Sequence, residues 1–459
     1  SCTGQVTGPA GEAWHIAPGK LKGVVYYATY ASPDFNNLSG IIRLRLGSQA
    51  ERFLQVDGQC TVCHSVSANG EVLATGINWP GDSVTFDLRS GAVPPPQMVR
   101  TTDGPMFSFA ALTPDGRRAF TSGGPNQASV RGQETSGPSR LVDTSNAQVI
   151  SAPSLPVQYA QTPSFSPDGA HVAFNNSDVG LGHLGMMDYD GSQNPPLFSN
   201  LKEIAANSNK TLGWPSFLPD SQAIIYQEGT TITYDKGYRA AGFETSYPAE
   251  LRLVEIAGGT VRPLGALNGY NPDGSVYLPA GATGDVAKAQ GDDWKTFEPT
   301  VLPRPIGGYY WVMFSSRRTY GNTLAPGGTV ANTADAWLEV RKKIWVAAID
   351  VNHAGKPDPS HPAFYLPGQA LKSSALRPFV ALEPCQAQGA SCESGVDCCD
   401  GFCRETGRAA DGTPILQCVP PPPASCSNLD EACVTAADCC DPTNLCILGR
   451  CALLVPDIK

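Results

Sequence analysis

The chain has 459 residues, of which 16% are charged, and a formal net charge of −10. That balance excludes nucleic acid as a partner, because a phosphate backbone is met by a basic surface. With 48 Gly and 40 Pro it is turn-rich in the manner of an all-β protein, and nowhere does it hold the run of about 18 apolar residues that a membrane helix needs.

Ser1-Cys2 opens the chain, and "AWHIAPG" (13–19), "GVVYYATY" (23–30) and "GIIRLRL" (40–46) follow as strand-like runs. Next comes "CTVCHSVSANGEVLATG" (60–76), an apolar stretch, a tight Asn-Gly turn and a second apolar stretch. The same unit recurs as "FSFAALTPDGRRAF" (107–120), "QTPSFSPDGAHVAF" (161–174) and "LGWPSFLPDSQAIIY" (212–226), and more loosely as "FEPTVLPRPIGGYYWVMF" (297–314). Each is a β-hairpin, most with Gly at the turn position that needs a positive φ. Two further strand-like runs follow most hairpins, such as "SVTFDLRSG" and "PPQMV", or "KIWVAAIDV" and "AFYLP". Four short strands per repeat predict a β-propeller. Six blades are counted, with a seventh possible in the long stretch 229–296. Closure falls to an inner strand from either "AWHIAPG" or "RPFVALEP" (377–384).

Residues 60–64 read C-x-x-C-H, the attachment signature of a c-type haem. Random placement of fifteen Cys and six His gives roughly 0.006 such matches in this length, so accident is a poor explanation. Two thiols at this spacing, Cys60 and Cys63, each form a thioether to one porphyrin, and the adjacent His64 reaches the iron. One covalent haem c is therefore expected. The alternatives are a Cys60–Cys63 disulfide or a metal site, the latter short of nearby partners.

His64 falls where Pro163 and Pro215 fall in the repeat, which places it on an innermost strand beside the central opening. Candidates for a second axial ligand on that face are Met106, His183 and His15, whereas His171, His353 and His361 belong near turns on the opposite face. Insertions 229–250, 268–296 and 316–343 are expected around the haem face, with Arg317 and Arg318 as candidate partners of haem propionates. "DYDGSQN" (188–194) has a calcium-like look but lacks the terminal Glu of an EF-hand loop and coincides with a repeat turn.

Twelve of the fifteen cysteines lie between Cys385 and Cys451, a density that belongs to an oxidising compartment. They form two units of C-x6-C-x5-C-C type, 385–418 and 426–459, joined by the stiff spacer 419–425 and preceded by the propeller, 1–384. Spacing alone leaves fifteen pairings open in each unit.

The hairpin repeat resembles that of TolB-type propellers, with S-x-S-P-D-G before an apolar strand, over about residues 12–384. The cysteine units resemble inhibitor cystine-knot and Dickkopf-type repeats. That resemblance implies pairing first to fourth, second to fifth and third to sixth: Cys385–Cys399, Cys392–Cys403, Cys398–Cys418, Cys426–Cys440, Cys433–Cys446 and Cys439–Cys451. Ser before Cys2 resembles a lipobox, which implies lipidation of Cys2 and an outer-membrane anchor; a disulfide to another chain is the competing expectation. The whole order, a C-x-x-C-H propeller and a twinned cysteine-rich tail, resembles exported proteins of myxobacteria.

The expected protein is thus an exported monohaem electron carrier at the bacterial surface, in the periplasm or outside the cell, whose partner is a redox protein or another copy of itself. The alternatives are a peroxidase- or oxygenase-like enzyme with an open iron, and a non-catalytic envelope binding or assembly protein. An electron carrier is favoured over a catalyst. No hydrolase nucleophile motif, phosphate-binding Gly loop or H-E-x-x-H is present.

Overall fold

A computed structural model describes residues 21–453 apart from 22, 37, 79–80, 103–105, 125–134, 231–248, 279–295, 317, 319–341, 371–373, 422–425 and 448–449. Six four-stranded sheets form a β-propeller, each running from an inner strand to an outer edge. The inner strands are Leu376–Ala381 in blade 1, Thr61–Val66 in blade 2 and Ala111–Leu112 in blade 3. Blades 4, 5 and 6 contribute Ala160–Phe165, Lys210–Phe217 and Phe297–Val301.

Blade 1 closes the ring. Its inner strand comes from the far end of the propeller sequence and pairs antiparallel with Val24–Ser32. "RPFVALEP" is therefore the closing strand, and "AWHIAPG" lies outside the described residues. The six blades match the count from the sequence, and the seventh that it left possible is not formed among the described residues. In the stretch that suggested it, Ala249–Glu255 and Val261–Pro263 are the outer two strands of blade 5.

Blade faces are apolar because both are covered by neighbours. Val346, Ile344, Trp311 and Met313 of blade 6 pack on Val25, Tyr27, Ile42 and Leu44 of blade 1. Where a sheet runs short, a side chain substitutes for a strand. The Gln369 amide accepts from Ile344 N at 2.7 Å and donates to Ile344 O at 2.8 Å, and Asn268 does the same for Leu251 at 3.0 and 2.9 Å. Both satisfy backbone groups that would otherwise be buried without partners.

Beyond Pro384, all twelve tail cysteines pair first to fourth, second to fifth and third to sixth within each unit. Modules this small bury little and are held by such cross-links. The two modules also dock on one another: Arg404 meets Glu431 at 2.7 Å, and Arg450 donates to the carbonyls of Gly395 and Gly401 at 3.2 Å. Six disulfides in 67 residues place the protein outside a reducing cytosol.

Candidate functional site

All six innermost segments share one backbone irregularity. Cys63, Phe109, Thr162, Trp214, Glu298 and Arg377 adopt positive φ of 41° to 63°. In five of the blades it coincides with a register shift, a β-bulge. Left-handed backbone costs a non-Gly residue about 1–2 kcal/mol, so six repeats of it mark a constraint of the architecture. At five of the six positions the N–H is taken by an acceptor in the preceding blade. Phe109 N donates to Cys63 O at 2.8 Å, Thr162 N to Ser122 Oγ at 3.0 Å and Trp214 N to Thr162 Oγ1 at 3.0 Å. Glu298 N donates to Gln227 Oε1 at 2.9 Å, and Arg377 N to Glu298 Oε2 at 2.8 Å.

The bulges carry their side chains to the axis. Phe109 of blade 3 and Trp214 of blade 5 are not in adjacent blades, yet their rings meet edge to face at 5.0 Å. Arg377, from blade 1, lays its guanidinium 4.4 Å from the Trp214 ring centre and 4.9 Å from that of Phe109. Three alternate blades thus plug the central channel with a cation between two aromatic faces. On the hairpin-turn side of the plug the channel narrows to about 80 Å³ among Pro163, Pro215, Pro299 and Phe379. Ligand pockets run to about 300–1,000 Å³, so no porphyrin sits there.

Cys63 belongs to this ring, and His64 follows it where four other blades have Pro163, Pro215, Pro299 and Pro378. His64 turns away from the axis into the seam with blade 1. Its imidazole is fully buried, with Nε2 3.1 Å from the Tyr26 carbonyl oxygen and its ring 6.5 Å from that of Phe379. Cys60 stands at the strand entry, half-buried, its N–H donating to Asn78 Oδ1 at 3.1 Å. Cys60 and Cys63 are outside the six disulfides. The donor chemistry, two thiols and an imidazole in attachment order with one thiol near the surface, fits a covalent haem. Iron ligation by Nε2 requires His64 to give up the Tyr26 carbonyl, a bond of about 0.5–1.5 kcal/mol net.

The other candidates are dispersed. Met106 packs in the apolar cluster between blades 2 and 3 with Val72, Ala74 and Phe107, on the opposite side of blade 2 from the His64 seam. His183 lies two blades away, its Nδ1 2.5 Å from Glu203. His15, Cys2 and Arg317, with most of the expected insertions, lie outside the described residues. Arg318, the other candidate for propionates, is turned into the fold. It is buried, donates to Leu267 O at 3.0 Å and stacks over Phe314 at 5.0 Å. Asp190 of "DYDGSQN" is occupied by Ser192 and Gln193, an Asx turn rather than a calcium loop.

Of the three turn-face histidines, His353 is the most enclosed. Its Nε2 is 3.0 Å from Asp220 and its Nδ1 3.1 Å from Glu255, joining blades 5 and 6. Burial depresses this imidazole's pKa, but the two carboxylates outweigh it and the net direction is upward. His171 and His361 likewise pair with Asp188 at 2.9 Å and Asp350 at 3.0 Å. The axial plug itself was missed in the sequence. Its signal is the residue before each aligned Pro, in "TPS", "WPS", "EPT" and "RPF".

No protein-family model matches the chain, and no curated protein does. Solved structures do. A TolB-type protein of Agrobacterium tumefaciens is similar at 10% identity over 75% of this chain and 89% of its own, with TM-score 0.40. TolB from Acinetobacter baumannii is similar at 10% identity over 80% and 68%, TM-score 0.44. Hydrazine synthase of Kuenenia stuttgartiensis is similar at 16% identity over 60% and 69%, TM-score 0.35.

Proposed function

We propose that this protein is an exported monohaem c-type cytochrome built on a six-bladed propeller, and that it carries single electrons at the bacterial cell envelope or outside the cell. The observation that supports this reading is the C-x-x-C-H donor set on one inner strand, next to a channel that is closed on its far side. When bound there, haem c supplies a one-electron iron couple. Cys60 and Cys63 would hold it through thioethers, and His64 would supply an imidazole to the iron. Arg377, Phe109 and Trp214 keep water from reaching the site along the axis. Covalent attachment suits a protein whose tail commits it to an oxidising, open environment. The redox partner is another protein or a second copy of the chain, and lipidated Cys2 would hold it to the outer membrane.

A second reading is an iron with one open position, as in a peroxidase- or oxygenase-like enzyme. The dispersal of Met106 and His183 favours it, since neither shares the His64 seam. The third is a non-catalytic binding protein with a Cys60–Cys63 disulfide. The oxidised and dithionite-reduced absorption spectra of the native protein separate them. A sharp reduced c-type band unmoved by carbon monoxide supports the carrier, a band that shifts supports the open iron, and no haem band removes both.

A further inference from the structure

The two thiols of the C-x-x-C-H strand differ in access. Cys60 is half-buried at the strand entry, whereas Cys63 is 7% exposed and His64 is closed to solvent altogether. Blade 1 supplies the cover. The Tyr26 carbonyl caps the imidazole at 3.1 Å, and the Phe379 ring stands edge-on to it with 6.5 Å between ring centres. Cys63 takes its place on the axial ring between Arg377 of blade 1 and Phe109 of blade 3. Phe379 and Arg377 both belong to Leu376–Ala381, the strand that closes the propeller.

Alone among the six blades, blade 1 draws its inner and second strands from opposite ends of the propeller sequence. The closing strand is therefore held by contacts rather than by a hairpin turn, and those contacts concentrate at its start. The Arg377 guanidinium lies 4.4 Å from the ring centre of Trp214, 4.9 Å from that of Phe109 and 5.9 Å from that of Phe379. Its N–H donates to Glu298 Oε2 at 2.8 Å, and Thr300 Oγ1 donates to the Pro378 carbonyl at 2.7 Å. A desolvated cation among aromatic faces is a firm local hold, and an element held this way opens as a unit.

We propose that Leu376–Ala381 is a gate over the C-x-x-C-H site and that Arg377 is its latch. With the strand in place, Cys63 and His64 are shut; with the strand released, the seam between blades 1 and 2 is open and both are reached. In its use the gate rests on the haem reading. A thioether at Cys63 forms when the S–H adds across a vinyl group, the sulfur taking one carbon and the proton the other, with no oxidant. Attachment at Cys63 thus belongs to the open ring, and closure seals it.

Alkylation of the full-length protein, made without haem, by N-ethylmaleimide tests the gate, with fragment mass spectra separating the two cysteines. Cys60 is expected to label about a hundredfold faster than Cys63, whose labelling waits for local opening. R377M removes the cation and is expected to speed Cys63 about tenfold while leaving Cys60 unchanged, with R377K between. Should R377M fail to fold, urea below the unfolding midpoint serves on the unaltered chain, where Cys63 labelling is expected to rise before the β circular dichroism is lost. Equal labelling of both cysteines in the folded protein, Cys63 labelling unchanged in both Arg377 variants, or labelling that rises only with global unfolding would overturn the proposal. Alkylation needs no haem, so a native protein without a haem band would remove the carrier reading and leave the gate to be decided by these rates.

Discussion

The Nε2 atom of His64 lies 3.1 Å from the carbonyl oxygen of Tyr26, across the seam between blades 2 and 1. The imidazole thus has a structural duty in the seam, and the proposed haem ligation has to compete with it. Replacement by Ala separates the two roles. His64→Ala removes one hydrogen bond and part of a buried ring, a loss of about 1–3 kcal/mol, and blade 3 already carries Ala110 at the matching position. The variant is expected to fold, to keep haem through Cys60 and Cys63, and to lose the six-coordinate reduced spectrum. Denaturant unfolding and absorption spectra read the two effects independently.

The His353 clamp gives a pH dependence with a defined sign. Its folded pKa is raised above the ordinary 6.5 by Asp220 and Glu255, against the opposing effect of burial. Protonation therefore stabilises the fold. The contribution is complete below the unfolded value and is lost as pH rises through the higher folded value. Stability measured by urea unfolding should fall across that window in the native protein and fall less in His353→Gln. Asp350, held low by His361 and Lys356 despite burial, acts at the acid end instead, where its contribution is lost as pH falls through its depressed folded value.

Two glycines at matching turns provide a paired test. Gly70 and Gly169 both have φ of +74°. A methyl group on Gly70 would overlap the Leu382 carbonyl oxygen, whereas on Gly169 it meets only Pro114 at 3.5 Å. Both Ala variants carry left-handed strain of about 1–2 kcal/mol. Gly70→Ala should lose clearly more, because it also displaces the chain that leads into the tail. Equal melting temperatures for the two variants would contradict this packing.

Reduction should act on one part of the molecule. Every disulfide among the described residues lies between Cys385 and Cys451, and the propeller core is held by apolar seams between blades. Mild thiol treatment is expected to make the tail sensitive to protease while the propeller keeps its β circular dichroism. Losing a native disulfide from so small a module costs about 2–5 kcal/mol.

The hairpins were readable because Pro-Asp-Gly and Asn-Gly turns punctuate paired apolar runs, and the cysteine spacing made the tail readable through its resemblance to knotted modules. Closure was not readable from apolar character, which "AWHIAPG" and "RPFVALEP" share. The distinguishing feature is that Arg377-Pro378 precedes its apolar run, as Trp214-Pro215 and Thr162-Pro163 do, whereas the Pro of "AWHIAPG" follows it. A seventh blade looked possible because blade 5 is stretched between its second and third strands, Ala223–Thr230 and Ala249–Glu255. The direction of His64 was hidden for a physical reason. Strand side chains alternate between faces, and the bulge at Cys63 resets that alternation at the residue before the imidazole.

The proposed electron transfer depends on the fate of two thiols, and mass spectrometry of the peptide containing Cys60 to His64, from protein purified out of its native host without reductant, reads that fate. One haem bound through both cysteines is the expected result. The same peptide carrying free thiols, or an internal Cys60–Cys63 disulfide, would contradict it.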